Sequence, residues 1–229
     1  MSLLEFRGVG FEDGEHAALR GLDFSVEAGR RLFVFGRSGS GKGTVMRLAA
    51  GVLEPGAGTV RLEAGERCLA PVGYVPREGG MLSNLSLLDN AVLPVVYHKM
   101  MSRDAASRKA RSWFDEFGIG SQALKRPAEV GVSVRRLALL ARGILAEPPL
   151  FVLEDPLSEV DAAAARVIKS VLERISQEGR ACLLAAGSLS PFEGWEGSFL
   201  FLRGGKAQFY EDGRALSAEK DPEVRACLG

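Results

Sequence analysis

One stretch limits what this chain can fold into more than any other: Phe35-Gly36-Arg37-Ser38-Gly39-Ser40-Gly41-Lys42-Gly43-Thr44. The apolar run Leu32-Phe33-Val34-Phe35 before it predicts a buried strand, and Lys42 to Ala50 predicts a helix closed by Gly51. Gly36, Gly39 and Gly41 let backbone N–H groups turn inward at the helix N-terminus, where they cradle phosphate oxygens. Lys42 is placed to neutralise the outer phosphates. The residue after such a lysine ordinarily carries a hydroxyl that holds Mg²⁺, and here it is Gly43. The loop therefore predicts nucleotide binding and questions metal-assisted hydrolysis together.

At 229 residues the chain is large enough for one domain with a substantial core. Lys plus Arg and Asp plus Glu number 29 each, so no basic surface for nucleic acid or anionic membrane is expected. No apolar run approaches the roughly 20 residues that span a bilayer, and Met1 to Phe6 lacks the regions of a signal peptide. Cys68, Cys182 and Cys227 show no paired spacing. With only His16 and His98 as histidines, a histidine-rich metal site is excluded. These features point to a reduced, cytosolic protein.

Along the chain, Leu4-Phe6, Val9-Phe11 and Leu22-Phe24-Val26 predict short antiparallel strands leading into the phosphate-loop strand. Thr59 to Leu62 and Val72 to Val75 predict two more. From Met81 the pattern turns helical. Ser102 caps a helix with Ala106, Ala110, Trp113, Phe114 and Phe117 at helical spacing, and a second runs from about Val134 to Ala146. Leu150 to Leu153 reads as a parallel strand covered on both faces. Asp161 caps a helix whose stripe is Ala164, Val167, Ile168, Val171, Leu172 and Ile175. Ala181 to Ala186 is a further buried strand, and Phe199 to Tyr210 is a hairpin turning at Arg203 to Lys206.

A phosphate loop needs a carboxylate partner at the end of a neighbouring strand. Leu150 to Leu153 supplies one, ending in Glu154-Asp155-Pro156. In a hydrolytic site the first acid assists the metal and the second activates water.

With these motifs in view, nearly the whole chain resembles the ATP-binding subunit of an ABC transporter. Gly36 to Thr44 resembles that family's GPSGSGKST loop, and Val72 to Pro76 the lead-in to its Q-loop. Met81 to Leu93 resembles the segment that contacts the permease, Arg136 to Pro148 the helix after the signature sequence, and Leu153 to Asp161 Walker B running into the D-loop. The tail from Asp221 and the Leu93-Pro94…Tyr97-His98 segment are most similar to the lipid-asymmetry, or organic-solvent-resistance, branch. The resemblance implies an α/β P-loop NTPase core of ABC type, with an antiparallel β subdomain and an inserted helical subdomain. It implies a single domain over 1–229, with core 1–76 and 144–229 and helical subdomain 77–143. ATP is the implied ligand, held by Gly36, Arg37, Ser38, Gly39, Ser40, Gly41, Lys42, Gly43 and Thr44. Asp155 and Glu154 are the candidate catalytic acids, with Glu154 and Thr44 as candidate metal ligands. The implied partners are an integral-membrane permease, for lipid or another hydrophobic solute, and a second ATP-binding subunit, identical or not. The implied location is the inner face of the cell membrane, bound peripherally.

The departures from the family pattern fall on the chemistry. Gly43 replaces the hydroxyl, Arg77 the Q-loop glutamine and Gly187 the switch histidine. The signature LSGGQ is Val130-Gly131-Val132-Ser133-Val134, and no aromatic stands near Asp13 to stack on adenine. In the strand-end pair, Glu154 and Asp155 exchange the expected aspartate and glutamate, each changing reach by ~1.5 Å. These residues predict ATP binding that is weak or altered in its metal dependence, with slow or absent hydrolysis. Two alternatives stay open: an active ATPase in which Thr44, Glu154 and Asp155 have shifted into working positions, and a scaffold of the same fold that uses no nucleotide.

Overall fold

The computed structural model describes residues 2–13, 16–64 and 70–228, with backbone only at 13 and 16–18. The chain opens with β1 (Ser2–Asp13) and β2 (His16–Glu27), followed by β3 (Arg31–Phe35), α1 (Lys42–Ala49), β4 (Ala57–Leu62) and β5 (Val72–Val75). Helices α2 (Leu87–Tyr97), α3 (Arg103–Glu116) and α4 (Val132–Leu145) come next. Then β6 (Leu150–Glu154), α5 (Ala162–Gln177) and β7 (Ala181–Ala186) lead to the hairpin β8 (Ser198–Arg203) and β9 (Lys206–Tyr210). Two short helices, α6 (Gly213–Ser217) and α7 (Pro222–Leu228), complete the described chain.

The strands form two sheets. β2-β1-β4 is antiparallel, and β5-β6-β7-β3-β8-β9 is parallel except for β9. Parallel strands share one C-terminal edge, so Val75, Glu154, Ala186 and Phe35 all end on the same side, where such sheets bind ligands. The period-2 alternation of each strand divides the core between the faces of this sheet. Leu32, Val34, Leu150, Val152, Leu183 and Leu200 pack with α1 and the antiparallel sheet. Phe33, Phe35, Phe151, Leu153, Leu184 and Phe201 pack with the helices on the other face. A strand buried on both faces has no polar side, which is why these strands read as unbroken apolar runs.

The antiparallel sheet corrects one expectation. Leu4-Phe6 and Val9-Phe11 are one strand, β1, paired with β2 through Leu4↔Val26, Phe6↔Phe24 and Phe11↔Leu19. The register shifts between Phe6 and Val9, and Gly8 takes a φ of 57° there. A bulge of this kind lets a strand continue across a turn-like residue. The helical stripe of α3 is buried at Ala106, Ala110 and Phe114, with Trp113 half-buried beside Phe117. Asp161 caps α5 by accepting from Ala164 N at 2.9 Å.

Three helices, α2, α6 and α7, do not stand out as separate elements in the sequence pattern. α2 is capped by Ser86, whose hydroxyl accepts from Asp89 N, and it contains Pro94. Buried Asn90 fixes it to the preceding loop, accepting from Leu82 N at 2.7 Å and donating to Leu82 O, Leu85 O and Ser86 O. α7 sets Val224 and Cys227 into the core. Cys182 is fully buried and its thiol is pushed up to about 12, as expected of a cysteine that serves as a small apolar residue. Cys68 lies outside the described residues.

Candidate functional site

The turn from β3 into α1 puts the glycine-rich loop at the C-terminal edge of the sheet. α1 is N-capped by Gly41 at φ 101° with no side chain on its first N–H groups, so those donors are available to a ligand. Lys42 Nζ donates to Gly36 O at 2.6 Å and Arg37 O at 2.9 Å, closing the loop on itself. Burial lowers the Lys42 pKa from its ordinary value, against the opposing pull of Asp155. Ser40 Oγ is buried with no hydrogen-bond partner among the described residues. Gly36, at φ 146°, has Leu202 O of β8 behind it, and an added Cβ would lie 2.4 Å from that oxygen.

An open cleft of about 650 Å³ lies in front of the loop. It is lined by Ser38, Gly39, Gly41, Lys42, Gly43 and Thr44 from the loop, and by Glu154 and Asp155 from the end of β6. The structure thus joins most of the sequence-predicted residues in one place. Three of them face elsewhere. Gly36 backs onto β8, Ser40 is buried, and Arg37 pairs with Glu223 of α7 at 3.5 Å. A larger hollow, about 1100 Å³, surrounds Arg31 and Trp195 and contains no loop residue.

The acidic pair is already engaged. Glu154 Oε1 accepts from Tyr74 Oη at 2.7 Å, and Oε2 accepts from Arg77 N at 3.4 Å. The Tyr74 hydroxyl is pushed well above its ordinary pKa by burial and by this carboxylate. Asp155 Oδ1 accepts from Gly187 N at 3.1 Å, while its Oδ2 faces Arg77 Nη1 at 3.5 Å. Asp155 holds a φ of 43°, a left-handed backbone that aspartate tolerates better than most side chains. Arg77 Nη2 also faces Glu159 Oε1 at 3.7 Å.

Behind Arg77 stands Arg136, only 6% exposed, donating to Pro76 O at 2.7 Å and Arg77 O at 2.9 Å. Adjacent arginines at a helix start ordinarily face solvent, and here only one of the two does not. Position 136 falls on the inward face of α4, where a buried guanidinium satisfies the carbonyls of the turn after β5. Arg135 instead ties its own helix start, donating to Pro127 O and Val130 O. Ser133, in the signature-like segment, accepts from Asp161 N at 3.0 Å and so is bound to the loop before α5. Phe11 is half-buried against the core of the antiparallel sheet, and the Asp13 side chain lies outside the described atoms.

Sequence reasoning found the loop and the acids but not the roles of Tyr74 and Arg136. Tyr74 was legible only as a strand residue; its position beside Glu154 follows from the β5–β6 register, Tyr74↔Val152 and Val75↔Leu153.

A glycine-rich loop between a central parallel strand and a helix, opposite an acidic strand end, defines a P-loop nucleotide-binding protein. The family model described as ABC transporter matches residues 19–158, and the chain belongs to that family as an ATP-binding subunit. It is 28% identical over 177 residues to the lipoprotein-releasing system ATP-binding protein LolD of Hydrogenovibrio crunogenus, covering 72% of this chain and 76% of that one. It is 33% identical over 168 residues to the zinc import ATP-binding protein ZnuC of Paramagnetospirillum magneticum, covering 71% of this chain and 59% of that one. Among solved structures, an ATP binding subunit of an ABC transporter superposes with a TM-score of 0.85 at 18% identity, covering 98% of each chain. The dimeric ATP-binding cassette MJ0796 bound to ADP and Pi gives 0.82 at 18% identity, covering 91% of this chain and 98% of that one. At such identity the structural likeness is one of fold.

Proposed function

We propose that this chain couples ATP binding to a membrane permease for a lipid or another hydrophobic solute, with impaired or absent hydrolysis. ATP fits the residues present. The free N–H groups of α1 and the cationic Lys42 make a cradle for a polyphosphate. Mg²⁺ fits poorly. Gly43 offers no hydroxyl, both oxygens of Glu154 accept protein hydrogen bonds, and Asp155 already faces a guanidinium.

The pairing of Arg77 with Asp155 is the observation that carries the reading. The Arg77 guanidinium and Gly187 N face the carboxylate that would have to reach an attacking water, and a positioned base is worth roughly 10²- to 10⁴-fold in rate. Losses in one catalytic unit do not add, so the absent hydroxyl lowers the rate by less than its separate cost.

No described helix is long and apolar enough to cross a membrane, in keeping with a peripheral subunit on the inner face. The LolD relative's name, a lipoprotein-releasing system, supports the hydrophobic-solute class. Pairing with a second ATP-binding subunit, identical or not, is part of the same proposal, and MJ0796 supplies the dimeric example. The exposed Leu82, Leu93 and Tyr97 beside and along α2 support docking of the permease there.

The test is an ATP titration with and without Mg²⁺, followed by phosphate release on the same sample. Binding with little or no turnover is expected. Robust Mg²⁺-dependent turnover that Lys42→Ala abolishes would refute the reading.

A further inference from the structure

We propose that Arg77 is a phosphate-binding residue that stands in for the metal, so that the cleft takes a nucleoside triphosphate free of divalent cation. The proposal rests on the nucleotide-binding reading above and goes beyond it in assigning the ligand's ionic form and the residue that selects it.

The backbone of Arg77 is fixed and its side chain is not. Arg136, buried beneath it, holds Pro76 O and Arg77 O, and Glu154 Oε2 accepts from Arg77 N. Tyr74 Oη in turn holds the other oxygen of Glu154. The guanidinium itself is half exposed and lines the same cleft as Gly39, Lys42, Gly43 and Thr44. Its separations from Asp155 and Glu159, 3.5 Å and 3.7 Å, are longer than the ~2.7–2.9 Å of a well-formed charge-assisted hydrogen bond. Much of its five-donor capacity is therefore open to an incoming anion.

Charge and geometry agree. The cleft is lined by the cations Lys42, Arg47 and Arg77 against the anions Glu154 and Asp155. A guanidinium grips phosphate oxygens with two parallel N–H donors and never loses its charge. A divalent ion drawn to Glu154 and Asp155 would have to displace it, so Arg77 and Mg²⁺ compete for one place. Gly43, with open space where a hydroxyl-bearing side chain would project, removes the metal's usual hydroxyl anchor and leaves Thr44, one position on, as the candidate in its place.

The experiment is ATP binding by calorimetry in EDTA and in excess Mg²⁺, for the wild type, Arg77→Ala, Arg77→Lys, Arg77→Gln and Lys42→Ala. The wild type should bind ATP in EDTA within about threefold of its affinity in Mg²⁺. Arg77→Ala should lose roughly 10- to 100-fold in EDTA, the range of a charge-assisted contact. Arg77→Lys, which keeps the charge but not the two-pronged grip, should keep part of the affinity, and Arg77→Gln should bind ATP better with Mg²⁺ than without. Wild-type binding that requires Mg²⁺, or Arg77→Ala binding as the wild type does in EDTA, would overturn the assignment while leaving the nucleotide reading intact. No ATP binding by the wild type in either medium would overturn both. A thermal melt of each variant separates lost binding from lost fold.

Discussion

Replacing Arg136 by methionine should destabilise the protein by about 2–3 kcal/mol. Its two hydrogen bonds, to Pro76 O and Arg77 O, are charge-assisted, and each such bond contributes about 1.5–3 kcal/mol net. Pro76 is half-buried and Arg77 exposed, so water can reach part of the vacated site and the lower end applies, giving about 3 kcal/mol for the pair. Removing the guanidinium also relieves a desolvation cost, visible in a pKa that burial drives below the ordinary arginine value despite the nearby Asp155. Methionine keeps much of the side-chain volume, so the cavity contribution stays small. Urea unfolding measures the effect. With a slope of about 3 kcal/mol per M, the midpoint should fall by about 0.7–1 M. Arg136→Lys, with one compact ammonium in place of a fork, should lose about half as much. Amide exchange at Arg77 to Gly80 should accelerate in both variants. A midpoint within about 0.2 M of the wild type would refute the view that this buried cation holds the turn after β5.

Gly43→Ser should fold without loss, since the new Cβ meets nothing within 4 Å and the helix gains a few tenths of a kcal/mol; combined with Arg77→Gln it should raise Mg²⁺-dependent ATP affinity in calorimetry. Phe114→Ala, emptying a fully buried site in the helical lobe, should cost about 3–5 kcal/mol by urea titration, clearly more than the same change at half-buried Trp113. ATP affinity should weaken as alkaline pH rises through the lowered Lys42 pKa, because the neutral amine no longer attracts phosphate. Lys42→Arg should hold its affinity to higher pH in the same titration.

The strands of the parallel sheet were legible because burial on both faces leaves a continuous apolar run, as in Leu150 to Leu153. Helix starts at Ser102 and Asp161 were legible because a capping side chain announces itself locally. β1 was not, since its bulge at Gly8 resembles a turn until the partner strand is known. α2 was obscured by Pro94, and α7 owes its place to contacts far away in the chain. In the site, the glycine loop and acids were local signals. The pairing of Arg77 with Asp155 and the burial of Arg136 depend on which strands are neighbours, and charge alone reads as solvated.

Gly36 affects how loss of function in this protein should be engineered. Its α-carbon sits against the Leu202 carbonyl of β8, so even alanine would force apart the two strands at the centre of the sheet. An inactive Gly36 variant would therefore report a damaged scaffold and would say little about nucleotide. Shortening Lys42 removes its bonds to Gly36 O and Arg37 O but puts no new atom against the Leu202 carbonyl. For genetic work, the interpretable null allele is at position 42, and a dominant or unstable phenotype at position 36 should be attributed to assembly.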